Sequence, residues 1–235
     1  VHEYSPTGTL LGSYSIWCAG PTRDVTTVPG TGNHANNHCW VFGFEPGNYN
    51  ISCFFEVLAP TYTNPSNQWV ITQYPPYNGY NRFDSSWVVG MEMISNDQFW
   101  AVETNNLYAG RFQVPGEPNV AGAVINYNGA YCGTGAQTDA DNGFNNPLDL
   151  TLDAAGRIFV LDKLSTNDPS IKVFQPDGEP APSVGSFGNT TNISGDPLRI
   201  DGTPWTDPNY GNMMFVLSGS TAPSKLSVFF PSEMP

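Results

Sequence analysis

Residues 147–162 read Pro147-Leu-Asp-Leu-Thr-Leu-Asp-Ala-Ala-Gly-Arg-Ile-Phe-Val-Leu-Asp162, and Ser170-Ile-Lys-Val-Phe174 follows a polar loop from Ser165 to Pro169. The first seven residues alternate apolar and polar side chains, the period-two pattern of a half-buried strand. Ala154-Ala-Gly156 supplies a tight turn, and Arg157 to Asp162 is a second, more continuously apolar strand. Ser170 to Phe174 is a third. A Pro176-Asp-Gly178 turn then leads to Ser183-Val-Gly-Ser-Phe187, the fourth. Four short strands in meander order make one blade of a β-propeller.

The same grammar recurs on both sides. Downstream come Pro197-Leu-Arg-Ile-Asp201, Asn212-Met-Met-Phe-Val-Leu217 and Lys225-Leu-Ser-Val-Phe229, with no fourth strand. Upstream, Val88 to Ile94, Gln98 to Glu103, Tyr108 to Gln113 and Gly122 to Asn126 form a complete set. A weaker copy runs through Cys39 to Phe44, Tyr49 to Phe54 and Gln68 to Thr72. First strands near residues 39, 88, 147 and 197 give a period of about 50 residues, within the range of propeller repeats.

The expected fold is therefore all-β: a propeller of about four to five four-stranded antiparallel blades. It divides into a partial blade at 1–15, a divergent blade or inserted β region at 16–85, blades at 86–130 and 131–190, and a blade lacking its fourth strand at 191–235. At the amino end, Val1 to Tyr4, the Ser5-Pro-Thr-Gly8 turn and Thr9 to Tyr14 read as the last two strands of a blade. Three arrangements stay open: Thr9 to Tyr14 closes the ring beside Phe229, the chain is a fragment of a larger propeller, or an open chain completes itself with a neighbouring copy.

Pro147 to Asp153, Gly156-Arg-Ile-Phe-Val-Leu-Asp162 and Ile171-Lys-Val-Phe174 resemble the NHL-repeat β-propellers. The repeat of that family pairs a Pro-led strand ending in Asp with a Gly turn, an apolar strand ending in Asp, and an Ile-x-Val-Phe strand. Residues 197–229 share the pattern in part, residues 88–126 lack the leading Pro and the paired aspartates, and residues 16–85 share little. The resemblance implies architecture. Relatives of this fold include protein-binding scaffolds, lactone hydrolases and an amide-cleaving lyase, so it leaves function open.

Composition narrows the setting. Lys and Arg number 8 against 21 Asp and Glu, a formal net charge of -13 with no basic patch, which speaks against a nucleic-acid or anionic-membrane partner. Nothing approaches the roughly 20 apolar residues of a membrane span. Only 12% of residues are charged, and three sequons begin at Asn50, Asn189 and Asn192, so a secreted or cell-surface glycoprotein is expected. The chain starts at Val1 with neither an initiator Met nor an apolar leader, which reads as a processed chain or a piece of a longer one.

Four cysteines, Cys18, Cys39, Cys53 and Cys132, include no C-x-x-C pair and suit two disulfides. Three pairings are open. Cys39 and Cys53 fall on candidate neighbouring strands, and a bridge between them leaves Cys18 for Cys132.

Among candidate sites, Thr138-Asp-Ala-Asp-Asn-Gly143 carries alternate oxygen-bearing side chains, Asp139, Asp141 and Asn142, of the kind that wrap calcium. Its Gly comes one position early for an EF-hand and no Glu follows at the required distance, so a solvated turn is the favoured reading. Asp153 and Asp162 are a carboxylate pair, read first as acceptors of turn amides. His34 and His38 sit in a Gly/Asn-rich loop without the Glu a hydrolase motif needs. Tyr74, Tyr77, Tyr80 and Phe83 lie on a Pro- and Asn-rich loop suited to protein contacts or sugar stacking.

No catalytic constellation emerges, and no cofactor is called for beyond the calcium candidate. The leading expectation is a non-enzymatic extracellular scaffold for protein or glycan contacts, extending to a homo-oligomer, surface layer or filament. The alternative is a metal-dependent propeller lactonase or lyase, with a cation near the central channel polarising a carbonyl.

Overall fold

Strands of two to seven residues separated by Gly, Pro and Asn turns cannot form one broad sheet, and the chain instead builds a series of small antiparallel meanders. The computed structural model describes residues 2–5, 7–13, 22–28, 38–44, 52–58, 68–70, 76–77, 80–81, 88–95, 98–113, 126–181, 193, 196–202, 213–219 and 224–229, with the backbone alone at residue 3, from 11 to 81 and at 126–128. No helix among them is long and apolar enough to cross a membrane.

The strands are β1 (His2–Tyr4), β2 (Leu10–Ser13), β3 (Thr22–Val28), β4 (His38–Phe44), β5 (Ser52–Leu58), β6 (Gln68–Val70), β7 (Pro76–Tyr77), β8 (Tyr80–Asn81), β9 (Val88–Met93), β10 (Gln98–Glu103), β11 (Tyr108–Gln113), β12 (Asn126–Cys132), β13 (Pro147–Leu152), β14 (Ile158–Lys163), β15 (Pro169–Phe174), β16 (Pro197–Gly202), β17 (Met214–Ser218) and β18 (Lys225–Phe229). β3 to β6 and β9 to β12 form four-stranded sheets, β13 to β15 and β16 to β18 three-stranded ones, and β1-β2 and β7-β8 two-stranded ladders.

One irregularity marks the four larger sheets as copies of one unit. Pairing between first and second strands skips a residue at the same place each time: Thr22 and Asp24 face Gly43 and Phe42, Val88 and Gly90 face Glu103 and Val102, Pro147 and Asp149 face Asp162 and Leu161, and Pro197 and Arg199 face Ser218 and Leu217. Such a bulge twists the strand locally and re-aims the side chains beyond it. Counted from the bulge, Asp24, Gly90, Asp149 and Arg199 are equivalent positions, as are Trp40, Trp100, Phe159 and Phe215 on the second strands. The first strands are also neighbours in space: β3 lies beside β9, β9 beside β13, and β13 beside β16. The sheets thus succeed one another as propeller-like blades do.

The core sits between successive sheets. Trp100, Val102 and Ala109 of one sheet meet Leu150, Leu152, Ile158, Val160 and Phe174 of the next, with Phe144 from the connecting loop. Phe144 and Phe174 make an edge-to-face pair at 5.5 Å. Across the following boundary Phe159, Leu161, Ile171 and Val173 pack on Ile200, Met214, Val216 and Phe229. Each strand of the β13–β15 sheet therefore supplies both interfaces, which accounts for its nearly unbroken apolar run in β14.

Two close approaches require glycine. Gly178, with φ of +92°, closes the Pro176-Asp-Gly turn through its N–H to the Gln175 carbonyl, and an added Cβ would lie 2.2 Å from the Tyr131 carbonyl oxygen of β12. Gly90 of β9 leaves a Cβ-sized space that the Asp149 carboxylate occupies.

Several expectations are corrected. The first strand of the weak copy is β3, not the segment from Cys39, which is a second strand. The fourth strand of the β9 sheet is Asn126–Cys132 rather than Gly122 to Asn126, and Gly129, which looks like a turn residue, lies where the pairing with Gly110 and Phe112 is bulged. At the amino end β1 and β2 pair around a turn in which the Gly8 N–H reaches the Ser5 carbonyl. Among the described residues β2 pairs with β1 and not with β18. The expected strand at 183–187 lies outside the described residues; ahead of it, the Ala181 N–H reaches the Val173 carbonyl and Phe174 and Pro180 form an antiparallel bridge.

Candidate functional site

The loop from Gly133 to Asn146 joins β12 to β13, and it contains the predicted cation-binding residues. A Thr138 N–H to Phe144 carbonyl bond and a Gly143 N–H to Ala140 carbonyl bond close the stretch from Thr138 to Phe144 within it. The Thr138 hydroxyl accepts the Ala140 N–H at 3.1 Å, an ST-turn that aims the Asp139 and Ala140 carbonyls at the sheet.

What meets them there is the ammonium of Lys172 from β15. Lys172 is fully buried, and its Nζ donates to the carbonyl of Asp139 and, at 2.8 Å, to that of Ala140. Burial pulls its pKa down, and Asp162, Asp141 and Asp139 pull it back up. The Asp139 carboxylate itself accepts the Ser165 N–H at 2.9 Å and the Ser165 hydroxyl, which hold it below the ordinary carboxylate range. The cation that this loop encloses is thus a side chain of the same chain. Asp141 and Asn142 are exposed. Among the described residues no three His, Cys, Asp or Glu side chains gather as metal ligands would.

The buried carboxylates face main-chain N–H groups. Asp162 accepts from Asn146 at 2.8 Å and from Asn145 at 3.1 Å, fixing the entry to β13. Burial nevertheless pushes its pKa up. Asp153 Oδ1 accepts from Ala155 and Arg157 N–H groups at 2.9 Å, and its Oδ2 receives Arg157 Nε at 2.7 Å while that guanidinium lies 5.6 Å from the Phe159 ring centre. Glu103, at the position of Asp162 in the preceding sheet, takes the Asn105 and Asn106 N–H groups at 2.7 and 2.9 Å.

Asp149 joins two sheets. Its Oδ1 accepts the Leu150 N–H at 3.0 Å, and its Oδ2 accepts the Ile200 N–H of β16 at 3.0 Å. Two residues on, Thr151 Oγ1 accepts the Gly202 N–H at 2.9 Å. Sequence reasoning missed Asp149, Glu103 and Lys172. The recurrence of Asp24-Val-Thr26 as Asp149-Leu-Thr151 was the available signal for the first of them.

Cys132 is a free thiol, and Cys18, its partner in one of the open pairings, lies outside the described residues. It is 2% exposed in the core between the β9 and β13 sheets, where burial pushes its pKa far up. Cys39 and Cys53 do lie on adjacent strands, but Cys39 faces Val57 and Cys53 faces Gly43. A four-residue offset separates them by roughly 13 Å at about 3.3 Å per residue, beyond disulfide reach. Iodoacetamide is expected to leave Cys132 unmodified in the native protein at pH 8 and to label it once urea unfolds the chain; peptide mass spectrometry reads the difference.

Of the aromatic candidates, Tyr77 and Tyr80 are paired on the antiparallel β7-β8 ladder, so part of the expected loop is strand. Tyr74 and Phe83 lie outside the described residues, as do Asn50, Asn189, Asn192 and His34.

No protein-family model matches the chain, and no curated protein matches it. Among solved structures, the WD40 domain of Toxoplasma gondii coronin is a distant likeness at 9% identity and a TM-score of 0.42. The match covers 84% of this chain, which spans only 54% of that one.

Proposed function

We propose that the protein is a non-enzymatic β-propeller scaffold of the extracellular space that presents its rims and outer strands for protein or glycan contacts. One observation carries the reading: the buried carboxylates Glu103, Asp149, Asp153 and Asp162 hold main-chain N–H groups of turns and of the adjoining sheet, so each has a structural task. A catalytic carboxylate needs instead an open side towards a reacting atom. The NHL-like pattern of residues 147–174 supports the blade assignment, and the three sequons and the low charge content support secretion. The aromatic segment of Tyr74, Tyr77, Tyr80 and Phe83, within which Tyr77 and Tyr80 pair on the β7-β8 ladder, is the proposed contact region.

The test is elemental analysis of the dialysed protein together with assay of simple lactones. Metal below stoichiometry and no turnover are expected. Stoichiometric calcium, with lactone hydrolysis that a chelator abolishes, would replace the scaffold by the metal-dependent hydrolase.

A further inference from the structure

The β13 and β16 sheets are each entered through a peptide bond to proline whose carbonyl is held from the end of the second strand. The Asn146 carbonyl accepts the Lys163 N–H at 3.1 Å, and the Asp196 carbonyl accepts the Gly219 N–H at 2.8 Å. Register makes the two bonds equivalent, since Pro147 faces Asp162 and Pro197 faces Ser218, the residues just before Lys163 and Gly219. They differ in the residue ahead of the proline, which is an amide in the first and a carboxylate in the second. Lys163 also reaches across the sheet boundary. Its Nζ donates to Asp196 Oδ1 at 3.1 Å, and the Asp196 side chain is 55% exposed, open to water.

The Asp196–Pro197 bond thus has a carboxylate, an ammonium and an N–H donor gathered at it. The carboxylate can close a five-membered ring on its own carbonyl carbon, which spares the encounter entropy of a separate nucleophile. The Gly219 N–H points at the oxygen on which negative charge develops during that attack. The Pro197 nitrogen carries no N–H and departs as a secondary amine once it takes a proton.

We infer that the chain cleaves itself between Asp196 and Pro197, with Asp196 as the nucleophile and Lys163 as the residue that positions its carboxylate. The Asp196 carboxylate oxygen forms a bond to the Asp196 carbonyl carbon, the C–N bond to Pro197 breaks, and the nitrogen takes a proton from acidic solvent. Water then opens the cyclic anhydride left on Asp196 to two carboxyl groups, so the net reaction is hydrolysis of one peptide bond. The nick falls between the β13 and β16 sheets, whose shared core of Phe159, Leu161, Ile200 and Val216 keeps the two pieces together in the native protein.

Two other Asp-Pro bonds are controls within the same chain. At Asp168–Pro169 the carbonyl accepts the Leu164 N–H at 2.9 Å, but the carboxylate takes the neutral Thr166 hydroxyl at 2.8 Å, a weaker hold than an ammonium gives. Asp207–Pro208 lies outside the described residues.

The full chain is held at the lowest pH, down to about 4, at which its β circular-dichroism spectrum stays native, and peptide mass spectrometry follows the new amino termini. Pro197 is expected to appear at least about tenfold faster than Pro169 or Pro208, an advantage that disappears in urea sufficient to unfold the chain. Asp196→Asn, which copies Asn146, should abolish the cut and keep the spectrum. Lys163→Met should slow the cut about tenfold and Lys163→Arg should restore most of the rate, a pattern that a general loss of stability does not produce. No cut at Asp196–Pro197, a rate equal to that of the other two bonds, or a rate unchanged by urea or by Lys163→Met overturns the inference. Neither result touches the scaffold reading, which the metal and lactone assays decide separately.

Discussion

Replacing Asp149 by Ala is expected to cost about 3 kcal/mol of unfolding free energy, because it strands two buried donors, the N–H groups of Leu150 and Ile200. Asp149 is 3% exposed, so water cannot readily take over the two bonds. Asn should cost less, since its one carbonyl oxygen still accepts one of the pair. Gly90→Ala attacks the same place from the other sheet: its Cβ would stand 2.2 Å from Asp149 Oδ1 and 2.9 Å from the Asp149 Cα and the Leu150 nitrogen. Overpacking of that kind costs about 1–3 kcal/mol. The double variant is expected to be less damaged than the sum, because Asp149→Ala removes the nearest atom but leaves the two backbone contacts. Urea unfolding of the four proteins measures the coupling. Strict additivity would mean that the carboxylate does not fill the Gly90 space.

This pair also shows why the sequence disclosed blades more readily than sites. Strands such as Gln98–Glu103, Tyr108–Gln113 and Lys225–Phe229 were legible because their side-chain pattern depends on local pairing and burial. β3 was missed because Thr22-Arg-Asp-Val-Thr-Thr-Val28 has few apolar residues, and what makes it a first strand is its bulge and its place beside β9, neither of which is a local property. The same applies to Asp149. Its partner Ile200 is 51 residues away, and the absence of a side chain at Gly90 matters only after two sheets have come together. The acidic loop, read first as a solvated turn and second as a calcium site, shows the same limit. Asp139, Asp141 and Asn142 have the composition of a cation loop, but the buried cation belongs to Lys172, 33 residues downstream of Asp139 in a strand whose local sequence does not show what its ammonium meets. Cys132 gave no signal of its own, since an even cysteine count suits disulfides whether or not the strands bring the thiols together.

Lys172→Met is the second change expected to do large damage, at about 3 kcal/mol. Methionine fills the same channel in the sheet, so packing is largely kept and the loss is that of the charge. Without the ammonium, the Asp139 and Ala140 carbonyls lose their donor and the buried Asp162 loses a compensating cation. Removing one partner of a buried charged cluster is costly because the remaining charge stays desolvated. The consequence should spread along the loop: Asp139 holds Ser165 and Asp162 holds Asn145 and Asn146, so hydrogen exchange should accelerate at those three amides before it does in β14. Calcium is expected to restore little of the lost stability. The vacated place offers two carbonyl oxygens, whereas the Asp139 carboxylate is already bonded to Ser165, and calcium takes about 6–8 oxygen ligands. Unfolding midpoints of the variant with and without millimolar calcium decide it. If calcium returns the midpoint to that of the unaltered protein, the loop is a cation site that Lys172 occupies, and calcium becomes a ligand to seek in relatives that lack the lysine.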